Sequence, residues 1–385
     1  MASRAFQVSK FGNTSLIFAD TANSRIGFNT SSPTQTVDII GVANVTTDIK
    51  VAGSSISPVQ SFRNKIINGN FDYWQRQTSN TNVVTGQYVA DRWINVKTGI
   101  PTLNISQQLF TTGQTAVPNE PTYFYRANTV SSTGSANGMF IAQRVESART
   151  LAGQTATLSF YAKADASKNV AVEFVQNFGT NGSAEANGVN VTTFSLTSSW
   201  QQFKTTVTLP SISGKTVDTA NANYLAVNFW LDAGSTFNTR TNSLGQQSGT
   251  FDIAQVQLEA GNVGTPFELR PTGLELVLCQ RYYETSYDIG TTPGTSTYSG
   301  IVGGLVAFGV GNRSISIGFK VQKRIAATLV YWDGAGSVSK TSTRIAATFT
   351  NNQTGNIPAN VSSTGFLIDG DGYTAFLHYA ASAEL

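Results

Sequence analysis

NKIINGNFDYWQRQTSNTNVVTGQYVADRW, residues 64–93, decides how the rest of the chain is read. It packs an Asn68-Gly69 turn, the aromatics Phe71, Tyr73 and Trp74, and a late Asp91-Arg92-Trp93 into one short stretch. An Asn-Gly pair favours a tight turn, and large aromatics beside it supply buried area for a sheet. The stretch therefore reads as the opening of a β-sandwich.

The surrounding composition agrees. Charged residues make up 12% of the 385 residues, against roughly a quarter in an ordinary soluble domain. The missing charge has gone into hydroxyls, amides and 35 glycines, a mixture that suits strands better than helices. With 23 Phe, 13 Tyr and 5 Trp there is ample apolar area for a core, which argues against disorder. Net charge is +3 and no basic block occurs, so nucleic acid is not an expected partner. No apolar run reaches the length of a membrane span, so no membrane insertion is expected. The opening MASRAFQVSKFGNTS lacks the apolar core of a signal peptide, and release in the cytoplasm of the producing cell is expected. A lone Cys279 excludes an internal disulfide framework and a thiolate zinc site, and a lone His378 excludes a histidine cluster.

Strict alternation marks strands at Thr155–Ala162, Gln202–Leu209 and Tyr224–Leu231. Such strands, joined by Gly- and Asn-rich turns from 61 to 270, predict a two-sheet jelly roll. A helix is predicted from Thr272, where Thr272 and Glu275 have capping-box spacing, and 271–285 forms a link. Further strands are expected at Ser314–Val321, Ala326–Trp332, Ile345–Phe349 and Tyr373–Tyr379, giving a small C-terminal β-sandwich over 286–385. Residues 1–60 hold only short β-prone pieces, such as Val37–Ile40, too brief to bury anything alone. Several copies sharing one axis would supply the missing core, so a homotrimer or a docking segment is expected there. The predicted fold class is all-β throughout.

Particular motifs carry a resemblance. ADTANSRIGFNTSSPTQTVDIIGVANVTTDIKVAGSSI, residues 19–56, resembles the shaft repeats of bacteriophage tail fibres in the spacing of Pro33, Asp38 and Gly41. INGNFDYWQR (67–76), ADRW (90–93), LSFYAKAD (158–165) and FDIAQVQLEAGNVGTPFELRP (251–271) resemble carbohydrate-binding jelly-roll modules. The junction FELRPTGLELVLCQRYYETSY (267–287) and the ending AFLHYAASAEL (375–385) are similar to phage tail proteins. The resemblance implies a homotrimeric tail fibre of the virion. Residues 1–60 would attach to other tail proteins, and a jelly roll and tip would bind host surface polysaccharide. The competing reading is an architectural appendage of neck, baseplate or capsid that touches no glycan.

A pyranose presents apolar C–H faces and a rim of hydroxyls, so an aromatic beside an amide suits it. Trp230 leads the candidates, because Leu225, Val227 and Phe229 claim the other face of its strand and Asn228 shares its own. Tyr224, Tyr123, Tyr125 and Trp200 follow. The bland alternative is that Trp230 packs against another domain or subunit, while Trp74 and Trp93 belong to the core.

No cofactor is required, but the jelly-roll resemblance implies a structural calcium held by Asp72 and Asp252. Asp252 shares the strand phase of Ala254, Val256 and Leu258, which predicts an inward carboxylate needing calcium or a cation such as Arg92. Asp369-Gly-Asp371-Gly lacks the ligands of a calcium loop and reads as a hairpin turn. No carboxylate pair or nucleophile motif is evident, and His378 in an aromatic strand reads as structural, so no enzyme is expected.

Overall fold

The computed structural model describes residues 62–219, 222–304, 313–345, 348–354, 357–370 and 375–385, with short strands before residue 56. The chain divides into two compact units, Met1–Ser61 and Phe62–Leu385.

In the first unit, β1 (Gln7–Lys10), β2 (Thr14–Asp20) and β3 (Arg25–Phe28) form an antiparallel meander, and β4 (Val37–Ile39) adds in parallel. β5 (Lys50–Val51) and β6 (Ser54–Ser55) pair separately. Direct pairing of Ile17 with Phe28, Ala19 with Ile26, and Ile26 with Val37 lines these side chains on one face. That face is open to water: Ile26 is 43% and Val37 54% exposed. Pro33 and Gly41 lie outside the described residues.

The second unit begins with the jelly roll. Its strands are β7 (Ser79–Asn80), β8 (Gln87–Tyr88), β9 (Trp93–Thr98), β10 (Thr102–Leu109), β11 (Tyr123–Val130) and β12 (Gly138–Glu146). They continue with β13 (Thr155–Ala164), β14 (Lys168–Asn177), β15 (Ala186–Leu196), β16 (Gln201–Thr208), β17 (Tyr224–Ala233) and β18 (Gly249–Ala260). Two six-stranded sheets result, in the orders β16-β13-β18-β11-β10-β7 and β15-β14-β17-β12-β9-β8. The predicted alternation holds: Ala156, Leu158, Phe160 and Ala162 meet Leu225, Val227, Phe229 and Leu231 in one core.

The opening stretch supplies the aromatic centre of that core. Phe71 lies 5.0 Å from Trp93 and 5.3 Å from Tyr125, and Trp74 stacks on Tyr125 at 5.5 Å. Asn68 takes a left-handed φ of 55° and fixes the turn by donating to the Tyr73 and Asp91 carbonyls. At Gly69 any Cβ would stand 2.2 Å from the Val256 carbonyl oxygen, so only glycine lets the turn dock on β18. The segment before it is tied to the same strand. Lys65 N donates to Leu258 O, Asn64 Oδ1 accepts from Leu258 N, and Glu268 accepts from the amides of Phe62 and Asn64.

Helix α1 (Asn238–Thr241) is one turn between β17 and β18, and α2 (Thr272–Gln280) is the predicted link. The capping box does not form. Pro271 is the cap residue, its carbonyl receives the amides of Leu274 and Glu275, and Glu275 turns instead to Asn68 N and Arg270.

The terminal part holds β19 (Tyr283–Thr285), β20 (Val302–Gly304), β21 (Arg313–Gly318), β22 (Thr328–Trp332) and β23 (Thr341–Ile345). It ends with β24 (Thr348–Gln353), β25 (Ile357–Ala359), β26 (Gly365–Gly370) and β27 (Ala375–Ser382). β27 pairs with β19, β20, β22 and β23, while β26 sits between β21 and β25. Both groups contribute to one cluster around Phe366, Ile368, Leu377 and Tyr379. Ile345–Phe349 is not one strand as expected: β23 and β24 pair antiparallel, with Ile345 opposite Thr348, so the chain reverses there. Asp369 lies in β26, and Asp371 lies outside the described residues.

Jelly roll, helix and terminal sheets are fastened together. Arg92 stacks 3.5 Å over Tyr282 and bridges to Glu384, which also meets Arg76 at 3.1 Å. Arg281 grips Glu146 through two bonds of 2.9 and 3.1 Å. Asp91 sits fully buried beside Arg76, and burial pushes its carboxyl up to about 6, with Arg76 and Gln75 opposing. Because its folded value lies above the ordinary 3.8, the folded chain binds that proton more tightly. The resulting stability is complete below the unfolded value and is lost as pH rises through about 6. Asp91→Asn is expected to remove a loss of about 2–3 kcal/mol that the parent suffers between about pH 4 and about pH 7. Urea titrations at both pH values measure it, and parallel curves for parent and variant would refute the assignment.

Candidate functional site

Alternation in β12, β14 and β17 sends Ile141, Val172, Phe174, Val227 and Phe229 into the core. Arg144, Glu173, Tyr224, Asn228 and Trp230 therefore stand on the outer face of that sheet. Over them lies a hollow of about 150 Å³ whose polar lining is Arg144, Glu185, Tyr224, Asn228 and Arg240. Arg240 reaches it from α1.

Glu173, fully enclosed, organises this face. It accepts from Trp230 Nε1, Asn228 Nδ2 and Gly188 N, each at 2.9 Å, and from Arg240 at 2.5 and 3.1 Å. Arg144 lies 4.7 Å from the Tyr224 ring centre and donates to the Leu385 carbonyl. Burial raises the Tyr224 hydroxyl above its ordinary value, with Arg144 opposing, so the phenol stays neutral and can donate or accept.

The strand phase thus places Tyr224, Asn228 and Trp230 together, as read from sequence, but corrects the role of Trp230. Its rings meet Phe140 at 4.5 Å and Phe237 at 5.0 Å, and only 1% of it is exposed. A covered indole has no face left for a sugar. The cover comes from the segment Ser235–Thr241, which alternation within β17 cannot reveal. Glu173, Arg144, Glu185 and Arg240 were not singled out in the sequence. A carboxylate in the apolar run Val170–Val175 was the available signal, since only a satisfied acid survives there.

The remaining aromatic candidates lie elsewhere. Tyr125 is a core residue whose hydroxyl donates to Asn95 at 2.5 Å, which corrects its assignment. Trp200 packs on Phe110 and Phe124 at 5.1 and 5.2 Å, under Lys163. Tyr123 is half-buried at the start of β11, opposite Leu109.

The calcium pair is not assembled. Gln255 has a φ of +47° and opens a bulge in β18 opposite Phe160. Phe251 and Ile253 face the core before it, Val256 and Leu258 after it, so the phase changes and Asp252 points outward. Its cross-strand neighbours are Arg126, bonded at 2.7 and 2.8 Å, and Lys163 at 3.7 Å. Arg126, not Arg92, is its cation. Asp72 instead faces Asn70 Nδ2 at 3.0 Å, near Glu275, and burial raises its carboxyl. The nearby oxygens are taken by Arg270, whose guanidinium binds Asn64 O, Ile66 O and Glu275. Among the described residues no group of three or more His, Cys, Asp or Glu could hold a metal. Excess chelator is expected to leave Tm unchanged in a thermal melt, and a fall of several degrees would restore a metal to this region.

His378 is buried, with Nδ1 3.0 Å from Ser286 Oγ and Nε2 3.0 Å from the Thr297 carbonyl. Burial lowers its affinity for a proton. Ser286 Oγ also accepts from Tyr379 N, so this pair closes a hydrogen-bond chain inside the fold.

No family model matches the sequence, and no curated protein matches it. Among solved structures the chain is similar to the enzymatically active domain of tailspike protein 4 of bacteriophage CBA120, at 11% identity and a TM-score of 0.32. That likeness covers 53% of this chain and only 22% of the tailspike. It is also similar to a carbohydrate-binding module, CBM4, at 19% identity and a TM-score of 0.29, over 50% of this chain and 98% of the module. A family 11 carbohydrate-binding module from Clostridium thermocellum, in complex with a β-1,3-1,4-mixed-linked tetrasaccharide, follows at 11% identity and a TM-score of 0.29. It is covered over 99%, and this chain over 49%. With scores this low, the architecture rests on the strand register itself.

Proposed function

We propose that this chain is a homotrimeric phage fibre protein that binds host surface glycan without cleaving it. The observation that carries the glycan reading is the outer-face hollow. Two aromatics, Tyr224 and Phe140, converge there with one amide, one carboxylate and two guanidinium groups, a set that suits the faces and hydroxyl rim of a saccharide. The open apolar face of β2, β3 and β4 supports assembly, since copies of this chain would cover it. Three weak sites on one particle then gain by avidity.

The tests are separate. Sedimentation of the intact chain is expected to give a trimer, and a well-ordered monomer would remove the fibre reading. On an array of bacterial surface polysaccharides the parent is expected to bind saturably, with Tyr224→Ala weaker by about tenfold or more. The burial of Trp230 favours the architectural reading, which predicts no array binding by any form.

A further inference from the structure

β22 turns Leu329 and Tyr331 into the terminal core and presents Thr328, Val330 and Trp332 on its other face. That face is open: Val330 is 41% exposed and Trp332 only half-buried. It forms one side of a cleft of about 450 Å³ whose other side comes from the jelly roll, through Gln77, Gln87 and Tyr88. Between them lies Tyr283, with Arg76 3.6 Å above its ring and 5.3 Å from Tyr88. The Arg76 charge is already met by Glu384 at 3.1 Å and Asp91 at 3.4 Å.

The cleft therefore offers an apolar, aromatic wall facing amide and hydroxyl groups, with its one cation neutralised. An uncharged ring with apolar faces and a polar rim fits that chemistry, and an anion gains little from it. We propose that this cleft is a second recognition site, for a neutral saccharide, stacking on Trp332 and Val330 and hydrogen-bonding to Gln77, Gln87 and Thr328. It rests on the glycan-binding reading but locates recognition on a different surface from the Tyr224 hollow. Because both walls are needed, the site exists only while jelly roll and terminal sheet are docked.

Saturation-transfer NMR on the intact chain, with cellotetraose, maltotetraose and mannotetraose as probes, tests it. At least one probe is expected to receive transfer. Trp332→Ala and the milder, surface Val330→Lys should each weaken that binding by about tenfold or more, while Ile100→Ala, at an exposed turn outside both surfaces, leaves it intact. Loss in Tyr224→Ala alone, or binding indifferent to both cleft variants, overturns the proposal and leaves the glycan reading standing. Transfer to none of the probes overturns the neutral-saccharide assignment, and array binding by the parent then decides the broader reading independently. If Val330→Lys changes only the oligomeric state in gel filtration, the cleft is a contact between copies of this chain and the proposal fails.

Discussion

Replacing Lys323 by methionine is expected to cost about 3–5 kcal/mol of unfolding free energy. Both members of the Lys323–Glu284 pair are fully buried, 2.5 Å apart. The ammonium also donates to the carbonyls of Gln280 at 2.5 Å and Val321 at 2.9 Å. Glu284 accepts as well from the Tyr379 hydroxyl at 2.6 Å and from the amides of Lys320 and Val321. The pair thus fastens α2, β19 and β27 at one point. Burial lowers the Lys323 proton affinity, and Glu284 opposes that shift. Removing the lysine strands a carboxylate in the interior. The double variant Lys323→Met with Glu284→Leu should recover most of the loss, because neither charge is then buried. Urea unfolding followed by tryptophan fluorescence measures both, and a single-variant cost below about 1 kcal/mol would show that water reaches the site.

Glu173→Ala is the second large effect, expected to cost about 2–4 kcal/mol. The change leaves Arg240 without its buried anion and Trp230 Nε1 and Asn228 Nδ2 without acceptors. Since Arg240 also lies 5.3 Å from the Trp230 ring, α1 should loosen and uncover the indole. A red shift of tryptophan emission under native conditions should accompany the loss. Glu173→Gln should retain part of the stability, as its carbonyl oxygen can still accept from Trp230. Unchanged emission in the alanine variant would mean that Phe140 and Phe237 alone hold the cover in place.

What the sequence made legible, and what it hid, follows from the range of each interaction. Alternation is local, so the strands at Thr155, Gln202 and Tyr224 and the outward phase of Asn228 could be read directly. The helix from Thr272 was equally visible, but its cap was not. Glu275 is claimed by Asn68 and Arg270, partners decided by tertiary contact. One inserted residue at Gln255, unmarked by glycine or proline, reversed the phase of β18 and sent Asp252 to Arg126. The same blindness concealed the hollow's charges. Arg144, Glu173, Glu185 and Arg240 come from two strands, the loop before β15 and a helical turn, which meet only after folding.

The way the chain enters its larger unit has a mechanical consequence. Backbone and side-chain bonds lash Phe62–Lys65 to Leu258 and Glu268, and β18 is an interior strand of its sheet. Tension transmitted through the polypeptide at Phe62 is therefore delivered to a strand flanked on both sides by β13 and β11. Release of β18 means breaking both of its ladders, where an edge strand would break only one.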